Sequence, residues 1–193
     1  RRVLFRSGAW RYDVPPQGEN DTSVTVWGCL CGCAADDLGF KVSPESFMNT
    51  LRWFVEVTDP ANGRIGYNSV GSASARIAGF NDEYPTGAAE AMTAAGLRAQ
   101  YALGLNAEIM PAIGKSEALL LKTGTVAYVG EQKALDFYYL MHASAAFSVG
   151  EGLGKRAKAW GGSLMKVARD RVETKGCLAG SWAPLGVWAE KGG

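Results

Sequence analysis

The feature that most constrains this chain is a turn that comes back. A small residue followed closely by an aromatic one recurs as Gly8-Ala9-Trp10, Gly66-Tyr67, Ala127-Tyr128 and Gly180-Ser181-Trp182, with 57, 61 and 54 positions between successive aromatics. Self-similarity at such a period is the signature of a repeat architecture, in which each unit buries its apolar side only against its neighbours. After each of the first three turns come a polar loop, an apolar helical stretch, a short connection and a second helical stretch. The repeating unit is therefore a helix hairpin.

Local punctuation places the helices. In the first unit the leading helix is expected from about Thr22 to Leu38, with Asp21 or Thr22 as N-cap and Gly39 as the stop. Its partner starts at Ser43-Pro44, a capping residue followed by Pro at the first helical position. Phe47, Leu51, Phe54 and Val55 then fall at helical spacing before Asp59-Pro60 ends the helix and Asn62-Gly63 makes a turn. The second unit has a leading helix from about Thr86 to Leu103 and a partner from about Pro111 to Lys122, stopped by Thr123-Gly124. Between them and the first unit, the stretch from Tyr67 to Pro85 is rich in Gly, Ser, Ala and Asn, a length of loop that is uncommon unless functional or disordered. It carries Phe80 and Tyr84 and is a candidate protein-contact site. The third leading helix begins at Asp136 and includes Phe137, Tyr138, Tyr139, His142 and Phe147; its partner covers about Leu153 to Glu173, and a final turn spans Cys177 to Trp188.

The two kinds of helix differ in composition. Leading segments such as VTVWGCLCGCAA are small-residue-rich and apolar nearly all round, whereas Lys122, Lys155, Arg156, Lys158, Lys166, Arg169 and Arg171 decorate the second helices. A helix apolar on every face must be enclosed, while an amphipathic one can face water, so an inner and an outer row follow. The expected fold is all-α, an open arc of helix hairpins over residues 8–193 as a single domain. Residues 1–7, RRVLFRS, fit neither a signal peptide nor the repeat and are set aside as a leader. Both ends read as cut, with further repeats expected beyond Gly193.

Composition narrows the partners. The 20 basic and 19 acidic residues are interspersed and leave a net charge of +1, so no charged face is expected for nucleic acid. No apolar run approaches the roughly 20 residues that span a bilayer, which leaves a soluble domain with at most peripheral membrane contact. Of four cysteines, Cys29, Cys31 and Cys33 alternate along one helix and Cys177 lies far away, which is not a disulfide framework. All are expected to act as small buried residues.

The hairpins with small-aromatic turns resemble the α/α-toroid repeats of squalene cyclases and protein prenyltransferase β-subunits, over about Gly8 to Gly193. Gly180-Ser181-Trp182 resembles the end of the cyclases' repeat motif. Gly18-Glu19-Asn20-Asp21-Thr22-Ser23, followed by Val24-Thr25-Val26-Trp27, resembles the cyclase DxDDTA signature and the apolar run after it. Here Gly18 replaces the first Asp and Asn20 replaces the central proton-donating Asp, while Asp21 and Thr22 are kept. An amide cannot protonate an alkene, so the resemblance implies a toroid fold without the usual acid.

Two expectations about function follow. The first is a non-catalytic module that binds an apolar isoprenoid-like ligand or a protein, through an inner surface drawn from Trp27, Tyr101, Tyr138, Tyr139, His142 and Phe147. The second is a terpenoid cyclase whose acid comes from elsewhere, with Asp21, Glu90 and Asp136, all near leading-helix N-termini, as catalytic candidates. No metal or other cofactor is expected. The prenyltransferases hold zinc through Asp, Cys and His, whereas His142, the one histidine, lies six residues from Asp136 and nearly opposite it on one helix. Val129-Gly130-Glu131-Gln132 superficially resembles the thioester turn of complement-like toroids, but Val129 replaces the essential Cys.

Overall fold

Among the described residues, six helices lie on the six expected segments, and Pro or Gly bounds several of them as expected. The computed structural model describes residues 9–11, 20–72, 90–125, 136–149 and 154–182. Within these, α1 spans Thr22–Asp37, α2 Pro44–Val57, α3 Ala91–Ala102, α4 Pro111–Thr123, α5 Phe137–Val149 and α6 Gly154–Arg171. No sheet forms among the described residues; two isolated β-bridges close turns. The leader, the segment 73–89 with Phe80 and Tyr84, and Val129 to Gln132 lie outside the described residues. No helix of the described residues is long and apolar enough to cross a membrane.

The helix starts use two devices. Asp21 caps α1 with its side chain, and Asp136 does the same for α5 by accepting the Tyr139 N–H at 2.8 Å. The helices α2 and α4 instead place Pro44 and Pro111 in their first turn, where the missing N–H removes a donor that no helical carbonyl would have satisfied. Gly39 and Gly124 end α1 and α4 at φ of 82° and 72°, a backbone conformation that costs other residues a clash with Cβ.

The leading helices sit side by side with α3 in the middle. It packs against α1 on one flank and α5 on the other, while α2 lies on α1 and α3, α4 on α3, and α6 on α5. The α3 sequence AMTAAGLRAQYA explains its position: nine of its residues are buried, and most of these are small enough to let neighbouring helices approach closely. One apolar cluster joins α3 through Ala94 and Leu97 to Tyr139, Phe147 and Trp160 of the third hairpin. A second joins α3 through Ala95 and Ala99 to Val26, Cys29, Trp53 and Phe54 of the first. Tyr138 touches both.

The Gly66-Tyr67 turn locks the first hairpin to the second. It starts where Thr58 bridges to Ile65 at the end of α2. The Gly63 carbonyl accepts the Ser116 hydroxyl of α4 at 2.6 Å, the Gly66 carbonyl accepts the Thr22 hydroxyl at 2.7 Å, and the Tyr67 carbonyl accepts the Thr22 N–H at 2.9 Å. Ile65 lies on Gly96 of α3, where a Cβ would meet its Cδ1 at 2.7 Å. The last described turn is built alike. Val172 bridges to Trp182, and the Trp182 indole donates to the Ala168 carbonyl of α6 at 2.7 Å.

The cysteines correct the expectation of four small buried residues. Cys29 is buried beside α3 and its burial pushes the thiol pKa up, but Cys33 is only half-buried, and Cys31 and Cys177 are exposed. Helical phase explains the split, since only one side of α1 faces α3.

A Cβ on Gly66 would lie 1.8 Å from the Ser69 carbonyl oxygen, whereas one on Gly39 meets nothing within 4 Å. Gly66→Ala is expected to cost about 3 kcal/mol or more because backbone must move, and Gly39→Ala about 1 kcal/mol from its left-handed φ alone. Urea unfolding of both variants beside the parent checks the order.

Candidate functional site

The three candidate carboxylates stand at equivalent places, each immediately before a leading helix, and each is engaged there. Asp21 is fully buried; its Oδ1 accepts the N–H groups of Ser23 and Val24 and the Ser23 hydroxyl at 2.7, 3.1 and 2.6 Å, and its Oδ2 accepts the Tyr67 hydroxyl. Glu90 makes no capping bond with its side chain. Its Oε1 takes both Nε and Nη2 of Arg64, at 2.9 and 2.6 Å, and its Oε2 accepts the Thr93 hydroxyl at 2.8 Å. The Asp136 carboxyl is raised above the usual range by burial, against the opposing pull of the backbone N–H groups it accepts. These carboxylates are spread over three helix starts, with different partners at each.

Asn20 has a partner of its own. It is buried, and its Oδ1 accepts the Arg11 guanidinium, from Nε at 3.1 Å and also from Nη2. A side-chain amide held by an arginine is an acceptor in a structural corner.

The proposed ligand-binding residues divide. Trp27 of α1, Tyr138 and His142 of α5 come together, with the His142 ring centroid 5.4 Å from that of Trp27 and 4.4 Å from that of Tyr138, both edge-on. Tyr139 points elsewhere: its hydroxyl donates to the Gly124 carbonyl at 2.7 Å and its ring lies against Trp160. Phe147 also packs on Trp160, and the Tyr101 hydroxyl donates to Glu117 of α4. Neighbours on a helix differ by about 100° in direction, which is why Tyr138 and Tyr139 part company.

His142 is fully buried and makes its polar contact with Arg98 of α3, whose Nη1 lies 3.4 Å from Nδ1. A guanidinium only donates, so Nδ1 accepts and the ring hydrogen belongs on Nε2. Nε2 is buried without a hydrogen-bond partner. Burial and the neighbouring Arg98 charge pull the His142 pKa down to about 4. Asp136 is not its partner, in keeping with a phase difference of about 120° between the two positions on the helix. Among the described residues no three His, Cys, Asp or Glu side chains gather closely enough to hold a metal ion.

Arg98, Arg64 and Arg11 were not among the sequence candidates. A signal for Arg98 was present: it is the only charged residue in α3, an isolated cation in a helix that must be enclosed. Comparison with known proteins finds no matching family model, no matching curated protein and no matching solved structure.

Glu90→Gln would leave the Arg64 guanidinium, with only 21% of its side chain exposed, beside a neutral amide. A loss of about 3 kcal/mol is expected in chemical denaturation. The pH dependence follows from His142. Its folded pKa lies below the ordinary 6.5, so on acidification the unfolded chain takes up the proton first. Stability should therefore fall between about pH 6.5 and pH 4, by about 3 kcal/mol in all, and no further from this group below that. Asp136, raised rather than lowered, works in the opposite sense, from its raised pKa down to the ordinary carboxyl range. The difference between the parent and His142→Leu, followed by thermal unfolding from pH 7.5 to 4, isolates the histidine term and should flatten in the variant.

Proposed function

We propose that this chain is a helix-hairpin repeat domain of the squalene-cyclase and prenyltransferase type that binds an apolar, isoprenoid-like ligand without transforming it. The observation that carries this reading is the engagement of the acids. Donors surround Asp21, Arg64 and Thr93 hold Glu90, and position 20 is an amide bound to Arg11. Protonating an unactivated alkene demands a strong acid that carries a proton and faces the substrate, and groups serving as hydrogen-bond acceptors at helix starts do not meet that demand. The half-exposed Trp27 beside Tyr138 and His142 supplies an aromatic surface for an apolar chain.

A cyclase with its acid at Asp136 is the second reading, favoured by the raised pKa of that carboxyl. The backbone N–H groups it accepts oppose this, and a raised pKa also makes the group a weaker acid.

Incubation with squalene, farnesol and geranylgeraniol, with product analysis by gas chromatography and mass spectrometry, separates the two. Binding that weakens in Trp27→Ala and yields no new product is the expected result. A cyclised product that disappears in Asp136→Asn or Asp21→Ala would overturn the non-catalytic reading.

A further inference from the structure

Charge is unevenly shared among the helices. The α6 sequence GKRAKAWGGSLMKVARDR holds six of the chain's 20 basic residues and one of its 19 acidic ones. Its net charge is therefore +5 against +1 for the whole chain, which leaves −4 for everything else. Helical phase sorts these charges further. Ala157, Trp160, Leu164 and Val167 turn inward onto the core, and Arg156 reaches Glu117 of α4. Lys155, Lys158, Lys166 and Arg169 are exposed and fall on the far side, at i, i+3, i+11 and i+14. They make a straight basic stripe about 21 Å long. Gly162, at i+7, occupies its middle, and a Cβ there would meet nothing within 4 Å, so the stripe is low and open at its centre. Asp170, the acid of this helix, lies about 100° round from Arg169.

A row of cations alone is what many water-facing helices carry. The flank beside this one is what sets it apart. Met165 is exposed next to Lys166. Ala168 lies one turn beyond Met165, and Val172 one turn beyond that, just past the end of α6. Trp182 lies along this flank, bridged to Val172 and bonded through its indole N–H to the Ala168 carbonyl, with 43% of its surface open. Leu178, in the turn that leads to Trp182, is exposed as well. Cations in a line with a thioether and an indole beside them suit a surface that is negative at its outer layer and apolar just beneath. A nucleic-acid duplex offers phosphates but no apolar layer for Met165 and Trp182.

We propose that the outer face of α6 and the Trp182 turn dock on an anionic lipid surface, with the four cations among the headgroups and Met165 and Trp182 at the acyl boundary. Near such a surface each cation contributes about fivefold in affinity. The proposal is independent of the apolar-ligand reading and stands or falls without it.

Sedimentation with vesicles tests this, using phosphatidylcholine alone and phosphatidylcholine with about one third phosphatidylserine. The parent is expected to bind the anionic vesicles and not the neutral ones, and the binding should weaken as salt rises. Lys158→Gln/Lys166→Gln should weaken it at least roughly tenfold, and Met165→Ser by about threefold. Lys41→Gln/Lys122→Gln removes the same charge from exposed positions elsewhere and should change it little. Circular dichroism of each variant checks that the helices are kept. Equal losses in the two double variants overturn the stripe, because net charge alone then accounts for binding. Equal binding to neutral vesicles, or no sedimentation of folded parent with the anionic ones, overturns the anionic surface. Met165→Ser that binds as the parent does overturns the apolar flank. Complete release of bound protein by duplex DNA at an equal concentration of phosphate makes nucleic acid the preferred partner and overturns the membrane.

Discussion

The joint between the first two hairpins depends on one exchange of hydrogen bonds. A helix start exposes N–H groups with no internal partner, and a turn exposes carbonyls with none. The Gly66-Tyr67 turn brings these deficits together: its carbonyls accept from the Thr22 N–H and hydroxyl at the start of α1, and Tyr67 reaches back to the capping Asp21. The same turn passes Arg64 to Glu90 at the start of α3 and takes the Ser116 hydroxyl of α4. Trp53 of α2 adds its indole N–H to the Thr22 hydroxyl at 3.0 Å. One short segment thereby satisfies polar groups on both hairpins, and a buried polar group left unmatched costs far more than a matched one gains. The Gly66-Tyr67 pair is the visible trace of this constraint in the sequence.

Small side chains in α3 have the opposite kind of effect, through what they leave room for. Ala94, Ala95 and Ala99 are fully buried and short, so α1 and α5 close over them and Trp27 of one meets His142 of the other. Bulkier residues there would hold the neighbours apart and break that contact. The seam and its aromatic contacts are thus a consequence of the same composition that makes α3 the central helix.

Most of the fold was legible in the sequence because its signals are local. Pro44 and Pro111 mark helix starts, Gly39 and Gly124 mark ends, and small apolar residues mark α3 as the enclosed helix, whereas α1 and α5, also expected to be enclosed, each keep an exposed side that includes Trp27 and Met141. The candidate site was legible only in part. His142, Trp27 and Tyr138 meet as a group, but Tyr139 belongs to the core against Trp160, a distinction that depends on how α5 is rotated against α6. Arg98 carried a sequence signal as the lone charge of α3, but its contact with His142 depends on how α3 and α5 pack, and spacing along a chain does not express that. Cys31 misled for a similar reason: its residue type favours burial, while its phase on α1 puts it outside.

Capping and proton donation make contrary demands on a carboxyl group. A cap works by accepting hydrogen bonds from backbone N–H groups, which favours the charged form. A donor to an alkene must hold its proton and keep its outer oxygen facing the substrate. The position before each leading helix is acidic in all three hairpins, and the partners of Asp21 and Glu90 occupy both oxygens of each carboxylate. A second acidic residue beside the cap would release one of the two from structural duty. At position 20 that second residue is an amide bound to Arg11, so around α1 the cap is the only task left for a carboxyl group among the described residues. Among the described residues, the buried polar atoms left without a hydrogen-bond partner include His142 Nε2 and Gln100 Oε1, and neither belongs to an acid.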